Sequence, residues 1–158
     1  MSQAQLPSAR LADLGLSLPP VPAPVAAYLP ANTSGAQIYT AGQLPFVDGK
    51  LPAVGKVGAA VSPEQAADLA RIAALNAIAA AASAAGGVDG LARVIKLVVY
   101  VASDPSFTGQ PAVANGASLL LQEVFGEAGA HARSAVGVAV LPLDAPVEVE
   151  LIVERVLS

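Results

Sequence analysis

The chain has 158 residues, 54% of them hydrophobic, 4% aromatic and 13% charged, which excludes intrinsic disorder and calls for an aliphatic, alanine-rich core. With no cysteine, a disulfide scaffold, a cysteine zinc site and thiol chemistry are excluded, and the single His131 cannot anchor a multi-histidine metal site. Eight Lys and Arg against twelve Asp and Glu leave a net charge of −4, which argues against a phosphate backbone as a general partner.

Residues Met1 to Leu6 are polar and lack a signal-peptide core, so a soluble, cytoplasmic protein is expected. Pro7 to Leu16 predicts a short helix with Leu11 and Leu14 on its apolar edge, stopped by Pro19-Pro20. Pro19 to Pro24 is a stiff, extended arm expected to pack on the body. Residues 1–22 therefore form a helix and Pro-rich arm, ahead of a single domain over 23–158. Ala26 to Thr33 and Gln37 to Gly42 predict two strands around an Asn32-Thr33-Ser34-Gly35 turn. Gln43 to Gly58 is a Gly- and Pro-rich connection.

Ser62-Pro63-Glu64-Gln65 reads as a capping box that opens a long helix. Leu69, Ile72, Leu75, Ile78 and Ala82 recur at helical spacing, and Gly86-Gly87 ends it. Leu91 to Val101 predicts a strand with Ile95, Leu97, Val99 and Val101 on one face and Val94, Lys96, Val98 and Tyr100 on the other. Gln110 to Phe125 predicts a second long helix. Arg133 to Val140 and Val147 to Arg155 predict two further strands. Two stretches lack charge altogether. Leu14 to Val47 holds six prolines, and Ile72 to Val88 is mostly alanine and too short, so neither predicts a membrane span.

The order ββαβαββ implies an α+β fold in which two crossovers put both long helices on one face of a single sheet. Val147, Val149, Leu151 and Val153 would face those helices. Glu148, Glu150 and Ile152 would face away, alongside Val94, Val98 and Tyr100. That second face is too apolar to leave in water, so another subunit is expected to cover it.

No phosphate loop, dinucleotide fingerprint or nucleophile elbow is present. His131 alone reads most simply as a solvent-exposed loop residue. Charges inside strands are scarce and therefore informative. Arg133 opens one strand, and Glu148 and Glu150 sit in the adjacent one. A structural account makes them a salt bridge at the sheet edge. A functional account makes Arg133 a guanidinium that grips a substrate carboxylate bidentately. Tyr28, Tyr39 and Asn115 are open to both accounts: a packed or cross-linking group, or the lining of a cleft.

Thr40-Ala41-Gly42-Gln43-Leu44-Pro45 resembles the Ser-Gly-Gln-x-Pro segment of the RidA family, also called YjgF. Other landmarks follow in that family's order: Ala23-Pro24 before Tyr28, Asn76 in the first long helix, the strand Val94 to Val101, and Val113-Ala114-Asn115. Ala132-Arg133-Ser134, Leu141-Pro142 and Val147-Glu148-Val149-Glu150 resemble its C-terminal signature. The resemblance spans about residues 23 to 154. It implies a chorismate-mutase-like fold, a homotrimer with clefts between subunits, and cofactor-free hydrolysis of reactive enamines and imines such as 2-aminoacrylate. The products are 2-oxo acids and ammonia.

Carried over, Arg133 matches the residue that binds the substrate carboxylate and Glu148 the acidic residue near the attacking water. Tyr28 and Asn115 match positions lining the cleft. The sequence departs from the pattern at Ala41 (usually Ser), Ala135 (often Cys), His131 (usually Pro) and Gly137 (often acidic), so the cleft is larger or differently polar. The expected site is thus Arg133 and Glu148 as catalytic residues, with Tyr28, Ala41, Asn115, Arg133 and Ala135 binding substrate. No metal, cofactor, nucleic acid or membrane is expected.

An imine deaminase ranks first. A non-catalytic trimer that binds small carboxylates or serves as an interaction module ranks second. RNA cleavage ranks last, because the chain is acidic, lacks interleaved aromatic and basic residues and has one His.

Overall fold

The computed structural model describes residues 4–23 and 27–158. Ser62 opens the longest helix, Pro63–Ala85, and its hydroxyl accepts the Gln65 backbone N–H at 3.1 Å. Gly86 closes it in the left-handed region, at φ 77°. In chain order the elements are α1 (Pro7–Asp13), β1 (Ala31–Ser34), β2 (Gln37–Thr40), α2 (Pro63–Ala85), β3 (Leu91–Ala102), α3 (Gln110–Phe125), β4 (Ala132–Val138) and β5 (Val147–Arg155). The helix expected to reach Leu16 stops at Asp13, and the first strand starts at Ala31. The expected start at Ala26, like Pro24 of the arm, lies outside the described residues.

The strands form one mixed sheet in the order β1-β2-β5-β3-β4, with β3 and β4 parallel and every other pair antiparallel. The last strand runs up the middle, between β2 and β3. Its composition suits that place, because Val147, Val149, Leu151 and Val153 are all buried to 1% exposure or less. One expectation fails here. The strand bearing Glu148 and Glu150 is not adjacent to the strand bearing Arg133, since β3 lies between them.

α2 and α3 cover one face of the sheet. Ile78, Leu120, Leu121 and Val124 are fully buried there with Leu97, Val99 and Val101. Each such side chain contributes about 1.5–3 kcal/mol. Buried Ala66, Ala70, Ala73, Ala74, Ala77 and Ala81 let α2 lie close to its neighbours. At Gly116 of α3 an added Cβ would strike the backbone carbonyl of Ala67, so these helices approach as closely as their backbones permit.

Val94 corrects a second expectation. It is 1% exposed and belongs to the helix-covered core, not to the far face. The cause is a register shift. Val94 pairs with Val153 and Lys96 with Ile152, so Ile95 is an extra residue in a β-bulge and the alternation changes phase across it.

The N-terminal segment packs on the body. Leu11 is buried, Leu16 and Leu18 rest against the core, and the Asp89 carboxylate accepts the Ser8 N–H (2.9 Å) and hydroxyl (2.6 Å). The arm from Ser17 to Pro22, α2 and the loop at 43–49 border an open groove of about 810 Å³.

Candidate functional site

Arg133 is the second residue of β4, the edge strand, and lies level with Leu97 of β3. Leu97 is fully buried beneath the helices, so Arg133 springs from the helix-covered side. Its Nη1 donates to Asn115 Oδ1 at 2.7 Å and to Ser118 Oγ at 3.3 Å. Asn115 and Ser118 are three residues apart on α3 and so share one face of that helix. Nη2 and Nε have no other partner among the described residues. One side of the guanidinium is clamped, and the other keeps the paired donors that a carboxylate matches. Ala135 follows two residues later on the same side, packed against the core.

His131 is not the solvent-exposed loop residue expected. It is half-buried, with Nε2 2.9 Å from Ser118 Oγ and Nδ1 2.6 Å from the Gly129 carbonyl oxygen. Sequence reasoning missed Ser118, although it stands one helical turn from Asn115, and gave His131 no partner.

Glu148 is elsewhere. It sits on β5 opposite Tyr100, on the face turned away from the helices, between buried Val147 and Val149. Gly42 lies under it, and a side chain at that position would overlap the Glu148 carboxylate. The backbone holds this seat. Gln43 and Val149 exchange two hydrogen bonds, N–H to O, at 2.7 and 2.9 Å, and the Ala41 N–H donates to the Pro30 carbonyl at 2.8 Å. That last bond ties Ala41 to the segment carrying Tyr28, whose side chain is 60% exposed. Asn76 has a structural task nearby: its Nδ2 donates to the Leu44 and Phe46 carbonyls at 3.0 and 3.1 Å, fastening the loop to α2.

Burial raises the Glu148 carboxyl above its ordinary value, and the charge of Glu150 adds to the rise. The Tyr100 hydroxyl donates to Glu150 Oε1 at 2.9 Å, and burial, that bond and both carboxylates push its pKa up. Lys96, Glu150 and Tyr39 line a shallow hollow of about 150 Å³ on this face. The Tyr39 hydroxyl itself donates to Gln37 at 2.6 Å.

The six expected site residues thus fall into two groups. Arg133, Asn115 and Ala135 meet where α3 crosses the edge strand, while Glu148, Ala41 and the Tyr28 segment meet on the far side of β5. Within the chain the groups lie on opposite faces of the sheet, two strands or about 10 Å apart across it. The edge salt bridge between Arg133 and Glu148 is accordingly not made.

The family described as "YjgF/chorismate_mutase-like, putative endoribonuclease" matches residues 8–155. Protein TCP17 of Trypanosoma cruzi is 45% identical over 148 residues, covering 93% of this chain and 92% of that protein. The crystal structure of Atu1372 from Agrobacterium tumefaciens, a protein of unknown function, matches with a TM-score of 0.87 at 42% identity, over 96% of this chain and 94% of its own. The E. coli protein TdcF, solved with bound serine, matches with a TM-score of 0.62 at 27% identity, over 86% and 94%. Nearly the whole described body, from α1 to the end of β5, falls within these matches, and the chain belongs to the YjgF/chorismate-mutase-like family.

Proposed function

We propose that this chain is a cofactor-free deaminase that hydrolyses small enamines and imines of the 2-aminoacrylate type to 2-oxo acids and ammonia. It works as a homotrimer, with the Arg133 group of one copy facing the Glu148 group of the next. The observation that carries this reading is the half-clamped guanidinium of Arg133, whose Nη1 is spent on Asn115 and Ser118 while Nη2 and Nε stay open. An imino acid carries its carboxylate beside the reactive C=N carbon, so a bidentate grip fixes the position and plane of that carbon. Glu148, whose carboxyl is pushed above the ordinary range by burial and by Glu150, is a stronger base than an ordinary glutamate and suits taking a proton from water. The open face with Val98, Tyr100, Val136 and Ile152 supports burial against further copies. Bound serine in TdcF fits a family pocket that accepts small amino-acid-like molecules.

Subunit mixing tests the reading. Arg133→Ala and Glu148→Gln proteins are each expected to lose turnover of 2-iminopropionate generated in situ. Dissociated together and reassembled, they should regain about a quarter of wild-type activity, because random assembly leaves that share of shared sites intact. Mixed trimers as inactive as their parents would rule out a site between copies.

Ala41, where the family usually has a hydroxyl, keeps a second reading in play: a trimer that binds small carboxylates without turning them over. Pyruvate binding without ammonia release from 2-iminopropionate would select it.

A further inference from the structure

His131 has no role in the proposed function, yet through Ser118 it joins Arg133 in one directed chain of hydrogen bonds. The Gly129 carbonyl can only accept, so the 2.6 Å contact at Nδ1 requires the imidazole proton there. Nε2 of the neutral ring is then an acceptor, and Ser118, 2.9 Å away, must donate its hydroxyl proton to it. The Ser118 oxygen keeps its lone pairs and takes one from Arg133 Nη1 at 3.3 Å. Asn115 Oδ1 takes the other Nη1 proton at 2.7 Å. The direction is fixed from end to end: Arg133 N–H to Ser118, Ser118 O–H to His131, His131 Nδ1–H to Gly129.

We propose that Ser118 and His131 are positioning residues that hold Arg133 in its carboxylate-binding orientation and couple that anion site to the protonation of His131. The coupling rests on the reading of Arg133 as the carboxylate grip; the hydrogen-bond relay itself does not. Protonation places a hydrogen on Nε2, which then donates to Ser118. The Ser118 hydroxyl must turn its own proton away from the ring, where it becomes one more donor for an anion held by Arg133. A second positive charge arrives at the same time. The charged groups on the surrounding elements are Glu123 of α3, paired with Arg71, Glu127, exposed on the preceding turn, Arg10 of α1, whose guanidinium lies against Gly126, and Lys96, level with Ala132 on β3. Small carboxylates should therefore bind more tightly to the form whose imidazole carries both protons.

The chain has a single histidine, so its imidazole gives one unambiguous set of long-range ¹H–¹⁵N correlations. Those of the wild-type protein without ligand should report the Nδ1–H tautomer at alkaline pH, and Ser118→Ala should disturb it. Pyruvate titrations should then show three- to tenfold weaker binding, on the order of one lost hydrogen bond, in Ser118→Ala and in His131→Phe. Ser118→Thr, which restores a hydroxyl, should bind as wild type, and the pH dependence should vanish in His131→Phe. An Nε2–H tautomer in the wild type, or wild-type pyruvate affinity in both disabled variants, overturns the relay. Failure of the wild-type protein to bind pyruvate overturns the carboxylate reading of Arg133 and with it the coupling. The ligand-free tautomer still decides the relay in that case.

Discussion

Along β3 and β5, alternate residues experience two different environments. On the helix-covered face, Leu97, Val99, Val101, Val147, Val149, Leu151 and Val153 are aliphatic and at most 1% exposed. One residue over, on the other face, stand Val98, Tyr100, Glu148, Glu150 and Ile152, apolar and ionisable groups side by side and all half-buried. The first face has one task, excluding water, and its composition is what the hydrophobic effect selects. The second is a compromise. A chain under pressure for stability alone would not place two carboxylates among Val, Tyr and Ile, where burial and mutual repulsion raise the Glu148 pKa. Such a local cost, carried inside a well-ordered sheet, is what the proposed role of Glu148 would account for and packing alone does not.

The sharpest way to separate function from packing is at Arg133, which belongs to the covered side but hangs over its edge. Arg133→Ala should lower turnover of 2-iminopropionate by roughly a hundredfold or more, the cost of removing one partner of a charge-assisted bidentate pair. Arg133→Lys keeps the charge but offers a point contact, and should still lose about tenfold. Both should melt within a degree or two of wild type, because the side chain is exposed and its hydrogen bonds among the described residues go to two residues of α3. Normal activity in a folded Arg133→Ala protein would end the deaminase assignment.

The two faces should also fail differently when damaged. Leu97→Ala opens a cavity in the covered core and should cost about 2–5 kcal/mol at any protein concentration. Ile152→Asp burdens the open face with another charge. Its melting temperature should fall with dilution, and light scattering should show dissociation, because the loss is one of assembly. Denaturant melts at two protein concentrations distinguish these outcomes. If Ile152→Asp behaves like Leu97→Ala, no further copy covers the open face.

A smaller effect should follow from Gly42→Ala. The added methyl group needs the space the Glu148 carboxylate occupies, and one of them must move. Turnover should drop by about tenfold, less than the roughly hundredfold that a full ångström of misplacement can cost, because the carboxylate ends a flexible side chain that can swing aside. Pyruvate binding should stay within about twofold, since the Arg133 group is untouched. A loss of pyruvate binding matching the loss of turnover would mean that Glu148 contributes to the grip and not to the chemistry.

How far the sequence foretold this arrangement depended on the range of the signal. α2 was legible to the residue, because Ser62, Pro63, Gln65 and Gly86 state its ends locally. β5 was equally plain, since its alternation is unbroken from Val147 to Val153. Val94 was placed on the wrong face because a bulge shifts the phase of an otherwise regular alternation, and nothing in Val-Ile-Lys announces the extra residue. The separation of Arg133 from Glu148 was hidden for a different reason. Sequence order makes β4 and β5 neighbours, but β5, none of whose residues is exposed, takes the centre of the sheet and leaves β4 at the edge. Arg133 stands out as a rare charge inside a strand, the family resemblance adds a role for it and for Asn115, and the two do meet, whereas the link of Ser118 to His131 shows itself only through distances.

Glu148→Gln tests most finely whether the open face trades stability for chemistry. Its carboxyl is pushed above the ordinary glutamate value of 4.5, first by burial and then by Glu150. A raised value in the folded state means that the folded chain holds this proton more tightly than the unfolded chain. Between the ordinary and the raised value the unfolded state therefore binds fewer protons, and stability falls as pH rises through that window. Below the window the wild type bears no penalty, and above it the full penalty persists. Glutamine cannot ionise, so the variant should escape the loss altogether. Melting curves from pH 4 to pH 8 should coincide at the acid end and diverge above it. At neutral pH the variant should melt higher, by about one to three degrees. Turnover should fall in the same protein. A variant that loses activity and melts lower at neutral pH would show that the Glu148 charge supports the fold, and the contrast between the two faces would lose its functional meaning.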